Sequence, residues 1–250
     1  MTSLLRQTFD NGAPGADIDW NTTEAAGTPL WLAGDGAAKY TTPGIHGSTA
    51  AKVTTNAGAN MAALIANMPT GVKELRCHTY VIAPTLPAGA HVAVLSMSAP
   101  NDDASVILSG DGGITGTCWH GDLAPWSPAA TFKAGDTLRV SARLLIGASV
   151  TTAWLAVFKG ESTTSLWSAT ATVADIAPAD AISNVQFGVV NLSGSTAAAS
   201  VTVDTVAVEH GAGSSAAFLP PEVAPPPKRR NQVWIRTATG WRNIGTGTIR

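Results

Sequence analysis

The 250-residue chain predicts an all-β fold of sandwich or barrel class, followed by a short C-terminal β-hairpin. Three observations carry this. Charged residues make up only 13% of the chain, and Gly, Ala, Thr, Ser and Val are common, a mixture that favours strands and turns over helices. Apolar and polar residues alternate with period two in many short segments. Turn residues separate those segments at short spacing, as in sandwiches and barrels.

The first strand is expected over Leu4–Phe9, closed by the turn Asp10-Asn11-Gly12. Residues 13–40 carry scattered Gly and Pro and read as a long decorated loop with one short strand near Leu30–Leu32. His46–Thr54 alternates weakly and reads as a strand, while Asn60–Met68 fits a strand or one to two helical turns. Clear alternation predicts strands over 73–82, 91–98, 105–109 and 113–120, then a wet loop over 121–130. Thr137–Ile146 and Thr151–Lys159 form the next hairpin, with Ala153, Leu155 and Val157 on one face and Trp154 and Phe158 on the other. Strands over 166–173, 182–190 and 199–208 complete the domain. In the last, Val201, Val203, Thr205 and Ala207 point one way, and Thr202, Asp204, Val206 and Val208 the other. Gly34-Asp35-Gly36 and Gly110-Asp111-Gly112-Gly113 precede no helix with Lys-Ser or Lys-Thr, so they are turns and not phosphate cradles.

The boundaries follow composition: a sandwich over 1–210, a Gly/Ser/Pro-rich linker over 211–227, and a basic tail over 228–250. Pro220, Pro221, Pro225, Pro226 and Pro227 make a stiff, extended spacer. Residues 1–227 carry 9 Lys or Arg against 17 Asp or Glu, a net charge of −8, whereas residues 228–250 carry six basic residues and no acid. The tail reads as a hairpin, Gln232–Thr237 and Trp241–Ile244 around Ala238-Thr239-Gly240, too small to be stable alone. Its docking residues are Lys228, Arg229, Arg230, Trp234, Arg236, Trp241 and Arg242, because aromatic and Arg side chains anchor interfaces.

Cys77 and Cys118 form no Cys-x-x-Cys pair and are expected as reduced, buried thiols, although one bridge between neighbouring strands is open. The start lacks a long apolar segment, so no signal peptide is expected, and no apolar run is long enough for a membrane span. An acidic main domain repels phosphate, so nucleic acid is not an expected partner.

Several motifs together resemble a known family. The opening R-Q-T-F-D-N-G-A-P-G, the G-x-x-G-S-T-A-A-K-V at 44–53 and the V-T-V-D-T-V-A-V at 201–208 resemble the concanavalin-like jelly rolls of actinobacteriophage virion proteins. Val233 to Trp241, V-W-I-R-T-A-T-G-W, resembles the Trp-containing tails of minor tail proteins. The resemblance implies a jelly-roll β-sandwich and a non-enzymatic virion protein, of the tail or decorating the capsid. It also implies multiple copies or a homo-oligomer, with other virion proteins as partners. A glycan-binding module for the host surface is the alternative from another class, and a cell-wall glycan hydrolase is the third.

Trp126 is the candidate stacking platform for sugar, since Ala124-Pro125-Trp126-Ser127-Pro128 places it in a turn-rich loop. Asp10, Asp17, Asp19 and Asp204 are candidate oxygen ligands for Ca²⁺, without an EF-hand loop. No Gly-x-Ser-x-Gly and no His-Glu-x-x-His occurs, and Asp17 and Asp19 lie in a loop, not on a strand that would hold an opposed catalytic pair.

Overall fold

The computed structural model describes residues 2–10, 12–18, 30–47, 49–99, 102–118, 121–122, 125–174, 181–210, 218–219, 221, 232–237 and 240–246. They form two antiparallel sheets and a separate ribbon. The strands in chain order are β1 (Thr2–Gln7), β2 (Leu30–Gly34), β3 (Gly36–Thr41), β4 (Ala50–Thr55), β5 (Ala62–Asn67), β6 (Glu74–Ile82), β7 (His91–Ala99), β8 (Asp102–Ser109), β9 (Ile114–Cys118) and β10 (Gly121–Asp122). They continue as β11 (Thr137–Ile146), β12 (Val150–Lys159), β13 (Ser165–Ala174), β14 (Asn184–Ser193), β15 (Ser200–His210), β16 (Gln232–Thr237) and β17 (Gly240–Thr246).

The first sheet runs β13-β12-β11-β6-β15-β4-β3, with β1 also on β15. The second runs β10-β9-β8-β7-β14-β5-β2. Alternation along each strand gives each sheet one apolar face. Leu75, Cys77, Val81, Leu138, Val140, Leu155, Val201 and Val203 from the first sheet join Leu64, Val92, Leu95, Val106, Ile114 and Phe187 from the second in one buried cluster. Burying each large aliphatic side chain there is worth about 1.5–3 kcal/mol. This is an all-β antiparallel sandwich, as expected.

Three local expectations change. The ambiguous stretch at 60–68 is a strand, β5, buried at Ala62 through Ala66. The loop expected over 13–40 contains a second strand, β3. Gly34, at φ 87°, and Asp35 carry the chain from β2 in one sheet to β3 in the other. A Cβ at Gly34 would stand 2.4 Å from the carbonyl oxygen of Met61, so only glycine fits this crossing. The loop expected over 121–130 begins with the two-residue strand β10.

β15 also departs from the alternation expected of it. Along one edge it pairs with β4 through residues 200–203 and then with β1 through residues 206–210. A bulge opposite β6, between Asp204 and Ala207, falls at this change of partner, with Thr205 at φ 45°. The bulge resets the alternation. Val201, Val203, Val206 and Val208 all reach the core, in place of the single phase the sequence predicts.

Of the linker, Phe218, Leu219 and Pro221 are described. Phe218 meets Phe158 edge to face at 5.9 Å, and Leu219 is buried. This part of the spacer therefore rests on the outer side of the first sheet and does not project freely from it. The ribbon β16–β17 forms as expected, pairing Arg236 with Trp241 and Ile235 with Arg242. Lys228, Arg229 and Arg230 lie outside the described residues, as do the side chains of Trp234, Arg236, Trp241 and Arg242.

The register makes a checkable claim. Val203→Ala should cost about 1–3 kcal/mol in urea unfolding, through lost transfer energy and a residual cavity. A loss below about 0.5 kcal/mol, the range of ordinary surface substitutions, would show that this side chain is not between the sheets.

Candidate functional site

The second sheet turns a polar outer face to solvent, and Trp126 stands at one end of it. The loop is pinned by Ser127: its N–H donates to the Ile114 carbonyl at 2.8 Å, and its Oγ accepts the Ile114 N–H at 2.9 Å. Asp111 braces the adjoining turn, accepting from Ser109 Oγ at 2.6 Å and Gly113 N–H at 3.0 Å. The Ser109 bond, then the Gly113 bond, hold its carboxyl below the usual range. Trp126 is thereby fixed over His91, with ring centroids 4.7 Å apart, yet remains 40% exposed. Among the described residues the exposed large apolar side chains are Trp126 and Val150.

Beside Trp126 lies a cleft of about 270 Å³, lined by His91, Thr115, Asn191 and Ser193 together with Ala93 and Ile107. A second hollow of about 460 Å³ shares Asn191 and continues past Ser96, Ser98, Asp103 and Gln186. The two form one trough along β7 and β14. An aromatic plate followed by amides and hydroxyls suits a ligand with both apolar ring faces and many hydroxyl groups. Trp126 is therefore exposed in a loop, as the sequence predicts. The trough residues on β7 and β14 were hidden in the sequence, because Ser and Asn at alternate strand positions are also ordinary solvated surface.

Among the described residues, Asp10, Asp17 and Asp204 form no cluster of three or more metal-ligating side chains. Asp17 pairs with Lys39 at 3.3 Å on the surface, and Asp19 lies outside the described residues. Asp10 abuts Gly47 and weakly accepts the Thr49 N–H at 3.5 Å. Asp204 is fully buried and surrounded by donors: Oδ2 accepts the N–H groups of Ile45 at 2.6 Å and His46 at 2.9 Å, and Oδ1 that of Thr205 at 2.7 Å. Backbone N–H groups aimed at a carboxylate leave its lone pairs occupied, which is the opposite of an open cation site.

Around this carboxylate sits a linked set of polar groups. His46 Nδ1 is 3.3 Å from Thr205 Oγ1, and its Nε2 is 2.6 Å from Glu161 Oε1. Tyr80 donates its hydroxyl to Glu161 Oε2 at 2.9 Å and lies edge-on to His46 at 4.0 Å. Glu161 reaches back from the turn between β12 and β13.

Beyond Tyr80 the outer face of the first sheet is charged, which the sequence reading missed. Arg76, His78 and Tyr80 alternate on β6, opposite Arg143, Ser141 and Arg139 on β11. Arg139 lies 4.2 Å over Phe158, and Arg143 lies 4.5 Å over Trp154. Glu74 accepts from both Arg76 at 3.0 Å and Arg143 at 2.9 Å. The signal was present as R-x-H-x-Y at 76–80 and R-x-S-x-R at 139–143, but only strand pairing makes it one patch.

The thiols stand apart from both faces. Cys77 and Cys118 are unbridged and buried, and burial pushes the Cys77 thiol up, away from nucleophilic reactivity. Cys77 turns inward while His78 sits on the outer side, as alternation requires, and His120 lies outside the described residues.

No family model matches the chain, and no curated protein matches its sequence. Among solved structures it is similar to the catalytic domain of a glycoside hydrolase family 131 protein from Coprinopsis cinerea, with TM-score 0.52 and 14% identity over 88% of this chain and 98% of that one. It is also similar to domain 4 of AbnA, a GH43 extracellular arabinanase from Geobacillus stearothermophilus solved with arabinotriose, with TM-score 0.50 and 13% identity over 84% and 93% of the two chains. The cellulose-induced protein Cip1 gives TM-score 0.50 and 13% identity over 72% and 90%. At these identities the likeness establishes the fold, a jelly-roll β-sandwich.

Asp204 yields a pH signature. Burial raises its carboxyl pKa above the ordinary value, and the bonds from His46, Ile45 and Thr205 offset only part of that rise. A raised folded-state pKa means the folded protein holds this proton more tightly than the unfolded chain. Its contribution to stability therefore declines as pH rises from the ordinary carboxylate value through the raised one, and is level above it. Asp204→Asn should remove that slope. It should also cost about 1–3 kcal/mol, since an amide NH₂ must then face a backbone donor. Denaturation midpoints from pH 3 to 8 that run parallel in both proteins would exclude this account.

Proposed function

We propose that the chain is a non-catalytic glycan-binding β-sandwich carried on a virion, with Trp126 as its sugar-stacking platform. The observation that carries the reading is an exposed tryptophan, held rigid by Ser127 and His91, at the head of a trough of amide and hydroxyl groups. A pre-positioned ring loses little entropy on binding, which favours stacking on a sugar face. The jelly-roll neighbours support it in kind: their names include an arabinanase domain solved with arabinotriose. Among the described residues the trough lining includes one carboxylate, Asp103, where two-carboxylate hydrolysis needs an opposed pair, which favours binding over cleavage.

Attachment to the particle falls to residues 228–250. The jump from an acidic sandwich to an acid-free basic tail supports this, as does the resemblance of V-W-I-R-T-A-T-G-W to minor-tail-protein tails. A two-stranded ribbon of this size is marginal in water and gains stability against a partner or further copies.

Two experiments test the two halves. Trp126→Ala should weaken retention on host cell-wall glycan about tenfold or more, through a lost stacking worth about 1–3 kcal/mol, with the thermal midpoint unchanged. Failure of the unaltered protein to bind any host glycan would remove the reading. Deletion of 228–250 should leave a folded, soluble sandwich that no longer joins particles. Normal copy number in particles assembled with the truncated chain would shift the anchor to the sandwich itself.

A further inference from the structure

The outer face of the first sheet contains a cation with no counter-charge among the described residues. Arg139 is 2% exposed. Its Nη2 donates to the Ser162 carbonyl at 3.0 Å, while its Nε and Nη1 have no acceptor. Among the described residues no carboxylate pairs with it. Two positions on, the fully buried Ser141 Oγ is also without a partner, and two further on so is Arg143 Nε. One carboxylate, Glu74, serves both Arg76 and Arg143. A buried guanidinium without an anion is costly, and buried polar groups are ordinarily satisfied. Four unsatisfied donor atoms on three residues of one strand, in an acidic domain, define the outline of an absent acceptor.

The register gives that outline a shape. Arg139 stands between Tyr80 and Phe158, and Arg143 between Arg76 and Trp154. Between these two ridges the row is His78, Ser141 and Ala156, so its centre is floored by small side chains. On β13 this row continues at Ser168, opposite Ala156, and the Arg143–Trp154 ridge continues at Thr170, opposite Trp154, both exposed. The face is thus open toward β13 and closed at Arg139, where Phe218 packs on Phe158.

We propose that this face is a second ligand site, on the sheet opposite Trp126, and that it takes the carboxylate of an acidic saccharide. Arg139 and Ser141 hold the carboxylate as charge-assisted and neutral donors. Arg143 and the ring of Trp154 meet the adjoining sugar, and the hydroxyls of Ser168 and Thr170 line its exit. The two open N–H groups of Arg139 beside the Ser141 hydroxyl match one monoanionic group. The aromatic and hydroxyl lining beside it matches a sugar ring rather than a peptide. Phe218, packed on Phe158, rests on the rim and competes with entry.

The test is calorimetric titration of the full chain at low salt with an oligogalacturonate and with the same oligosaccharide after reduction of its carboxylates to alcohols. The acidic form should bind, and the reduced form about tenfold or more weakly, through loss of charge-assisted hydrogen bonds. Arg139→Lys, which keeps the charge but loses the fork, and Arg143→Gln should each reduce affinity about tenfold. Trp126→Ala should leave it unchanged, which separates this site from the trough. Phe218→Ala should raise affinity by freeing the rim. Circular dichroism checks folding; if Arg139→Lys does not fold, the partly exposed Arg143 decides. Equal binding of the reduced oligosaccharide, undiminished binding by both arginine variants, or no binding by either the unaltered chain or Phe218→Ala would overturn the proposal. Equal binding of poly-glutamate would overturn the saccharide assignment.

Discussion

The buried carboxylate of Asp204 is the tie on which the first sheet depends. Where β15 exchanges β4 for β1 as its edge partner, the ladder is interrupted and backbone donors would be left open. The bulge turns Asp204 into that gap, and its two oxygens take up the N–H groups of Ile45, His46 and Thr205. Burying an ion costs several kcal/mol, and here several converging donors offset part of that cost. The same loop carries Thr49, whose hydroxyl donates to the carbonyl of fully buried Phe9, so the end of β1 is secured together with the start of β4. His46, once placed by its own N–H, positions Glu161, and Glu161 orients Tyr80.

This arrangement divides labour between the faces. The inner faces are apolar and complete, with the Cys77 thiol sealed among aliphatic side chains. The outer face of the second sheet is rich in hydroxyl and amide groups, with an aromatic plate at one end. The outer face of the first is cationic, its guanidinium groups stacked on Phe158 and Trp154. Such stacking keeps Arg planar and directional, which lysine in the same places would not do. A sandwich with two chemically different outer faces can engage two chemistries without one site obstructing the other. Arg139, buried with its Nε and Nη1 lacking an acceptor, carries a desolvation cost.

The sequence by itself determined the strands, because period-two alternation is a local property. Thr137–Ile146 has the predicted bounds, and Val150–Lys159 begins one residue earlier than expected, with Trp154 and Phe158 on the predicted face. It also determined that Trp126 would stand in a loop, because Pro and Ser on either side exclude a strand. What only the tertiary structure decided is everything that depends on partners distant in sequence. The bulge at Asp204 is invisible locally, since V-T-V-D-T-V-A-V alternates without a break; the gap it fills exists only because β4 and β1 share one edge. Asp204 looked like a metal ligand for the same reason, its donors lying some 158 residues away. Gly34-Asp35-Gly36 announced a turn but not a crossing between sheets. The arginine face is assembled from β6, β11 and β12, strands that meet through pairing energies no single segment contains. Local pattern sets which residues can form strands, and the burial of the resulting apolar faces sets which strands become neighbours.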